Sequence, residues 1–220
     1  MEYPEIGKGG FADVYRATDK KNDDTVAVKV LRDVDGVDDE VIQRFRRELR
    51  IMQGLSHPNV VSILAEGETV DQNVWYAMPL AQGSLSDFAR GTTLTPPMIV
   101  DILRQVCAGL SYIHEHGVYH RDLKPANILR LSAEESGTDV WAVSDFGLAV
   151  QAERDTDPLT STYRQGLGSW VYTAPEQWQQ ARTANHLSDI YSLGKVLQEP
   201  AHRGNAGQCR GSRQRASACG

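Results

Sequence analysis

The sequence predicts an α+β fold in two lobes. Residues 1–80 read as a small antiparallel sheet carrying one helix, and residues 81–199 as a mostly helical lobe that is incomplete. Three features predict this. "FADVYRAT" and "TVAVKVL" alternate apolar and polar residues, the period of a half-buried strand. "DDEVIQRFRRELRIMQGL" and "TPPMIVDILRQVCAGLSYIHEHG" switch to the helical period. From Pro200 both periods stop.

Taken in order, the turn residues "KKNDD" join the first two strands into a hairpin. In the first helix Val41, Phe45, Leu49 and Met52 share a face, acids lie near the start, and Gly54 fits the end. "NVVSILAEGETVDQNVWYAMPL" returns to strands about a turn. In the second long helix Thr95 suits the N-cap, prolines fill the first turn and Gly117 stops it. Ile99, Leu103, Val106, Leu110 and Ile113 form its expected buried stripe, with Cys107 as a small core residue. "DVWAVSDFGLA" gives a short strand and a turn. Asp155 to Gly168 is hydroxyl-rich, without a period and longer than an ordinary connection, which favours a functional or mobile loop. Residues 200–220 hold no acid and no aliphatic larger than Ala, and read as a disordered or out-of-frame tail.

The net charge of −6 carries no polybasic signal for nucleic acid or anionic membrane. Cys107, Cys209 and Cys219 form no CxxC pair, which argues against a disulfide framework or a zinc site. The N-terminus has no apolar leader and no stretch is long enough to span a bilayer, so the expected compartment is the cytoplasm. Oligomeric state is left open.

Chemistry concentrates in a few places. "GKGGFADV", Gly7 to Val14, puts a glycine-rich turn between two strands, where backbone N–H groups can approach phosphate oxygens. A strand follows it, not a helix, and no Gly-Lys-Ser/Thr is present, so the dinucleotide and Walker A versions fall away. A hairpin without a ligand stays open. Lys29 sits among valines in "VAVKV"; it is either an exposed strand lysine or a phosphate ligand held by an acid. Glu48, beside Leu49, is the candidate acid, with a solvent-facing charge as the alternative. "YHRDLKPANIL", Tyr119 to Leu129, sets two cations around Asp122 and an amide three residues after the second.

In this order the motifs resemble those of the eukaryotic-type protein serine/threonine kinase catalytic domain, with a bacterial character. "GKGGFADV" resembles the Gly-rich loop, "VAVK" the strand lysine, "HRDLKPAN" the catalytic loop, "DFG" the metal loop, and "APE" the end of the activation segment. "DIYSLG" resembles the start of the long helix beneath the catalytic loop, where Asp189 would brace it.

The resemblance implies ATP-dependent phosphoryl transfer to a Ser or Thr hydroxyl of a protein substrate, with Mg²⁺. It places Ile6, Gly7, Gly9, Gly10, Val14 and Ala27 around the nucleotide, and gives adenine the Met78 carbonyl and the Leu80 N–H. Lys29, paired with Glu48, would hold the α- and β-phosphates. Asp122 would orient the hydroxyl and accept its proton, and Lys124 would neutralise the phosphoryl group. Asn127 and Asp145 would hold the metal, and His120 would pack rather than transfer protons.

Ser169 would line the acceptor site. Arg121 would receive a phosphate on Thr160, Ser161, Thr162 or Tyr163. Departures from the family pattern are Ala12 in place of the third glycine, Pro4 in a short first strand, and the missing arginine partner expected for Glu176. An inactive kinase-like binding or regulatory fragment, or a small-molecule kinase of the same fold, remain the alternatives.

Overall fold

The alternating stretches pair as their period demands. The computed structural model describes residues 4–8, 12–32, 39–71, 73–132, 139–146, 150–151, 171–179 and 184–208. Strands β1 (Glu5–Lys8), β2 (Ala12–Thr18), β3 (Thr25–Leu31), β4 (Ala65–Glu68) and β5 (Val74–Pro79) form one sheet in the order β1-β2-β3-β5-β4. Every neighbouring pair in it is antiparallel. Across β3 and β5, Lys29 lies opposite Tyr76 and Ala27 opposite Met78. Paired residues share a face, so all four project to the same side of the sheet.

Helix α1 (Asp39–Gln53) packs on the sheet through Phe45, Leu49 and Met52, all buried, and Gly54 follows its last residue. The Phe45 ring lies 5.4 Å from that of Tyr76. The chain after α1 then reaches into the second lobe. Val61 N–H donates to the Val143 carbonyl at 2.9 Å, and Val143 N–H donates to the Asn59 carbonyl at 2.9 Å.

The second lobe opens with β6 (Gly83–Ser84) and α2 (Leu85–Gly91). Ser84 caps α2 reciprocally with Asp87. Helix α3 (Pro96–Glu115) starts where Thr95 and its prolines predict, although the Thr95 side chain makes no capping bond. It stops before Gly117, which adopts the left-handed φ of 70°. Its buried stripe differs from expectation: Ile102, Gln105, Val106, Gly109, Leu110 and Ile113 are buried, while Ile99 and Leu103 are only partly so. Cys107 is exposed rather than a core residue. One residue turns a helix by about 100°, and the face that carries Val106 and Gly109 turns Cys107 outward.

Strands β7 (Val118–Tyr119), β8 (Ile128–Ser132), β9 (Asp139–Val143) and β10 (Val150–Gln151) follow, with β6-β8-β9 in one sheet and β7-β10 in another. Helix α4 (Pro175–Gln179) and helix α5 (His186–Gln208) come next in the same lobe. Helix α5 runs past Glu199, so the helix does not end at the expected boundary at Pro200. Extending a helix from packed turns is easier than starting one. The rest of the expected tail, residues 209–220, lies outside the described residues, as do Gly9, Gly10, Thr160, Ser161, Thr162, Tyr163 and Ser169. Among the described residues no helix is long and apolar enough to cross a membrane.

Candidate active site

Lys29 reaches from β3 to Glu48 on α1, with Nζ 2.8 Å from Oε1 and 3.1 Å from Oε2. The same Nζ lies 3.2 Å from Asp145 Oδ1. Glu48 is 3% exposed, so the pair is a buried one and the solvent-facing alternative for Glu48 is excluded. Desolvation works against the Lys29 charge. Asp145 and Glu48 overcome it and hold its pKa well above the ordinary lysine value. Asp145 titrates below the usual carboxylate range because the Lys29 charge stands beside it.

The loop between β7 and β8 carries the second cluster. Asp189 on α5, fully buried, accepts from the N–H groups of His120 at 2.9 Å and Arg121 at 2.7 Å. Those two bonds hold Arg121 at a φ of 67°, a left-handed conformation a non-glycine residue seldom takes. Gln177 of α4 donates to the Arg121 carbonyl at 3.0 Å. His120 is fully buried. Its Nδ1 accepts from Asp122 N–H at 3.2 Å, so Nε2 carries the proton and donates to the Ser144 carbonyl at 2.8 Å. Both ring nitrogens are therefore engaged in structure.

Lys124 Nζ sits 2.7 Å from Asp122 Oδ2. Asn127 Nδ2 donates to the Asp122 carbonyl at 2.9 Å and to its Oδ2 at 3.3 Å. Burial raises the Asp122 pKa, opposed by the Lys124 charge. The two clusters are joined through the backbone. Ser144 N–H donates to the Asn127 carbonyl at 2.9 Å, which fixes Asp145, the next residue, beside the Asp122 loop. Asp145 also adopts a positive φ, 64°.

Of the other expected contacts, Ala27 is buried, Val14 and Gly7 are partly buried and Ile6 is exposed. The Ala77 carbonyl turns to the β4 side, accepting from Leu64 N–H at 2.8 Å. Alternation along β5 then turns the Met78 N–H and carbonyl toward Ala27 of β3. Glu176 accepts from Ser188 Oγ at 2.6 Å. Sequence reasoning did not single out Tyr76, His114 or Ser144. His114 Nε2 lies 2.7 Å from Asp189 Oδ2. Ser144 directly precedes "DFG", and that adjacency was the available signal.

A lysine on a sheet held by a glutamate from helix α1 packed on that sheet, facing an Asp-Lys-Asn loop braced from below, is the arrangement of a protein kinase catalytic domain. The chain belongs to the protein kinase domain family, whose sequence profile matches residues 2–206.

It is 38% identical over 197 residues to the serine/threonine-protein kinase PrkC of Bacillus subtilis, covering 88% of this chain and 29% of PrkC. It is 37% identical over 198 residues to the probable serine/threonine-protein kinase PknB of Lactococcus lactis, covering 89% of this chain and 30% of that protein. Serine/threonine-protein kinase PknH of Mycobacterium bovis is 36% identical over 196 residues, covering 88% and 31%. The chain thus spans 29–31% of the length of these relatives.

Proposed function

We propose that this chain transfers the γ-phosphoryl group of ATP to serine or threonine hydroxyls of a protein substrate. The observation that carries the reading is the junction of the two clusters. Lys29, Glu48 and Asp145 form one, Asp122, Lys124 and Asn127 the other, and the Ser144–Asn127 bond ties them.

The donor set fits a magnesium ion. Asn127 directs its amide nitrogen to Asp122, which leaves its neutral oxygen as an acceptor. Asp145 brings a carboxylate whose lowered pKa keeps it ionised. Among the described residues no three His, Cys, Asp or Glu gather as a metal cage, so ATP phosphates and water would complete the shell. Mg²⁺ bound with ATP supplies charge neutralisation on the transferring phosphate.

The protein's own groups do the rest. Lys29 holds phosphate oxygens. Lys124 and Asn127 both engage Asp122 Oδ2, which leaves Oδ1 to orient the acceptor hydroxyl and take its proton. We assign the adenine edge to the Pro79 carbonyl and the Ala81 N–H, one residue beyond the sequence-based expectation of Met78 and Leu80. Ala27 pairs with Met78, and with the Ala77 carbonyl turned to β4, strand alternation aims the Met78 carbonyl at β3, while Pro79 has no N–H to place. The use of ATP suits a cytoplasmic domain. The serine/threonine preference rests on the "DLKPAN" pattern and on the names of the relatives.

The test is transfer of label from γ-labelled ATP to protein by this chain and by Asp145→Ala. Counts that depend on Asp145 support the reading; equal counts sink it.

A further inference from the structure

Tyr76 stands opposite Lys29 in the β3–β5 register and is 1% exposed. Its phenol donates to Glu48 Oε1 at 2.7 Å, the oxygen that also receives the Lys29 ammonium at 2.8 Å. Its ring centroid lies 5.6 Å from Lys29 Nζ, and that of Phe45 lies 5.9 Å away. Packing alone does not ask for this hydroxyl. A phenylalanine would fill the same space against Phe45 and leave no polar atom to satisfy.

The carboxylate does ask for it. A buried ion pair gains only where further hydrogen bonds satisfy the remaining lone pairs and fix the geometry. Lys29 is drawn toward two acids at once, Glu48 and Asp145. A Glu48 free to rotate would let the ammonium drift to Asp145.

We propose that Tyr76 is a positioning residue: by fixing the Glu48 carboxylate from the β5 side it fixes where Lys29 presents its ammonium to a phosphate. This rests on the reading of Lys29 as a phosphate ligand. The electrostatics agree with the geometry. Burial raises the Glu48 pKa, while the Lys29 charge and the Tyr76 hydrogen bond both pull it down.

Tyr76→Phe keeps the ring and deletes one oxygen. Carboxyl carbon-13 NMR of Glu48 in the wild type and the variant, with nucleotide affinity measured by calorimetry, tests the idea. In Tyr76→Phe the Glu48 titration midpoint is expected to move up by about one pH unit. ATP affinity is expected to fall about tenfold. In a Glu48→Gln background the same substitution is expected to cost little affinity.

An unmoved Glu48 midpoint, or an equal affinity loss in both backgrounds, overturns the proposal. A measurement on the wild type needs no variant to fold. A slowly exchanging Tyr76 hydroxyl proton with a nuclear Overhauser contact to the Glu48 methylenes supports the role, and exchange at the bulk rate overturns it. If the midpoint moves yet the wild-type chain transfers no phosphoryl group, the positioning role stands and the kinase reading falls.

Discussion

The Asp189 carboxylate accepts the backbone N–H of Arg121 at 2.7 Å across 68 residues of sequence. Its other oxygen takes His120 N–H at 2.9 Å and lies 2.7 Å from His114 Nε2. One side chain of α5 thus fixes the loop that presents Asp122. Asp189→Ala would leave two buried N–H groups without an acceptor, and is expected to destabilise the fold by about 3–5 kcal/mol. Asp189→Asn, which keeps an acceptor oxygen, should lose less. Urea unfolding of both variants checks this, and a midpoint unchanged in Asp189→Ala would contradict the bracing role.

Asp122 gives a pH prediction with a definite sign. Burial raises its pKa, and Lys124 is the main influence pulling it down. An acid that must be ionised to accept a proton loses activity as pH falls through its folded pKa. The acid limb of kcat should therefore lie above the ordinary aspartate value. Lys124→Met removes the lowering charge, so its limb should move to higher pH. A limb that moves down, or not at all, in a variant that still turns over would show that Asp122 is not the titrating group.

Much of this was legible beforehand, and the reason differs by residue. The hairpin and both long helices follow from periodicity, which burial on one face imposes. Lys29, Asp122, Asn127 and Asp145 stood out because they occupy the motifs "VAVK", "HRDLKPAN" and "DFG" that carry the resemblance.

Glu48 stayed undecided because its partner lies 19 residues away on a strand, and helical period alone puts it at the edge of the stripe. Tyr76 was missed because a strand pattern records that a residue faces inward and not what its hydroxyl meets. Asn59, in a turn, and Gln105, on α3, were missed because a sequence pattern does not record what a buried amide meets. Both are buried amides, Asn59 donating to the Trp141 carbonyl at 2.9 Å and Gln105 accepting Trp141 N–H at 2.9 Å, which ties α3 to β9. Cys107 and Ile99 were misplaced because a helix that packs at a glycine rotates its stripe toward that glycine.

That glycine is Gly109. A Cβ there would stand 2.3 Å from the Asn59 carbonyl oxygen, a backbone atom already bonded to Val143 N–H. Gly109→Ala should therefore destabilise by about 2–3 kcal/mol, overpacking outweighing the gain in helix propensity. Gly194 on α5 meets nothing within 4 Å, and Gly194→Ala should stabilise by about 1 kcal/mol. Thermal melts of the two variants should shift in opposite directions. A shared direction would mean that α3 does not pack at Gly109 as described.

Stability and activity should separate at Lys29. Lys29→Met leaves Glu48 buried with the Tyr76 phenol as its remaining described donor, which is expected to cost about 3 kcal/mol. Replacing both partners, Lys29→Met with Glu48→Leu, removes the stranded charge and should recover most of that loss, because apolar groups can fill the space beside Phe45. Activity should not return, since the proposed reading gives Lys29 the task of holding the phosphates. Both variants should transfer phosphoryl groups about a hundredfold more slowly than wild type, or worse. A double variant as active as wild type would show that the pair is structural alone. A double variant less stable than Lys29→Met would show that the buried charges, and not their pairing, hold α1 to the sheet.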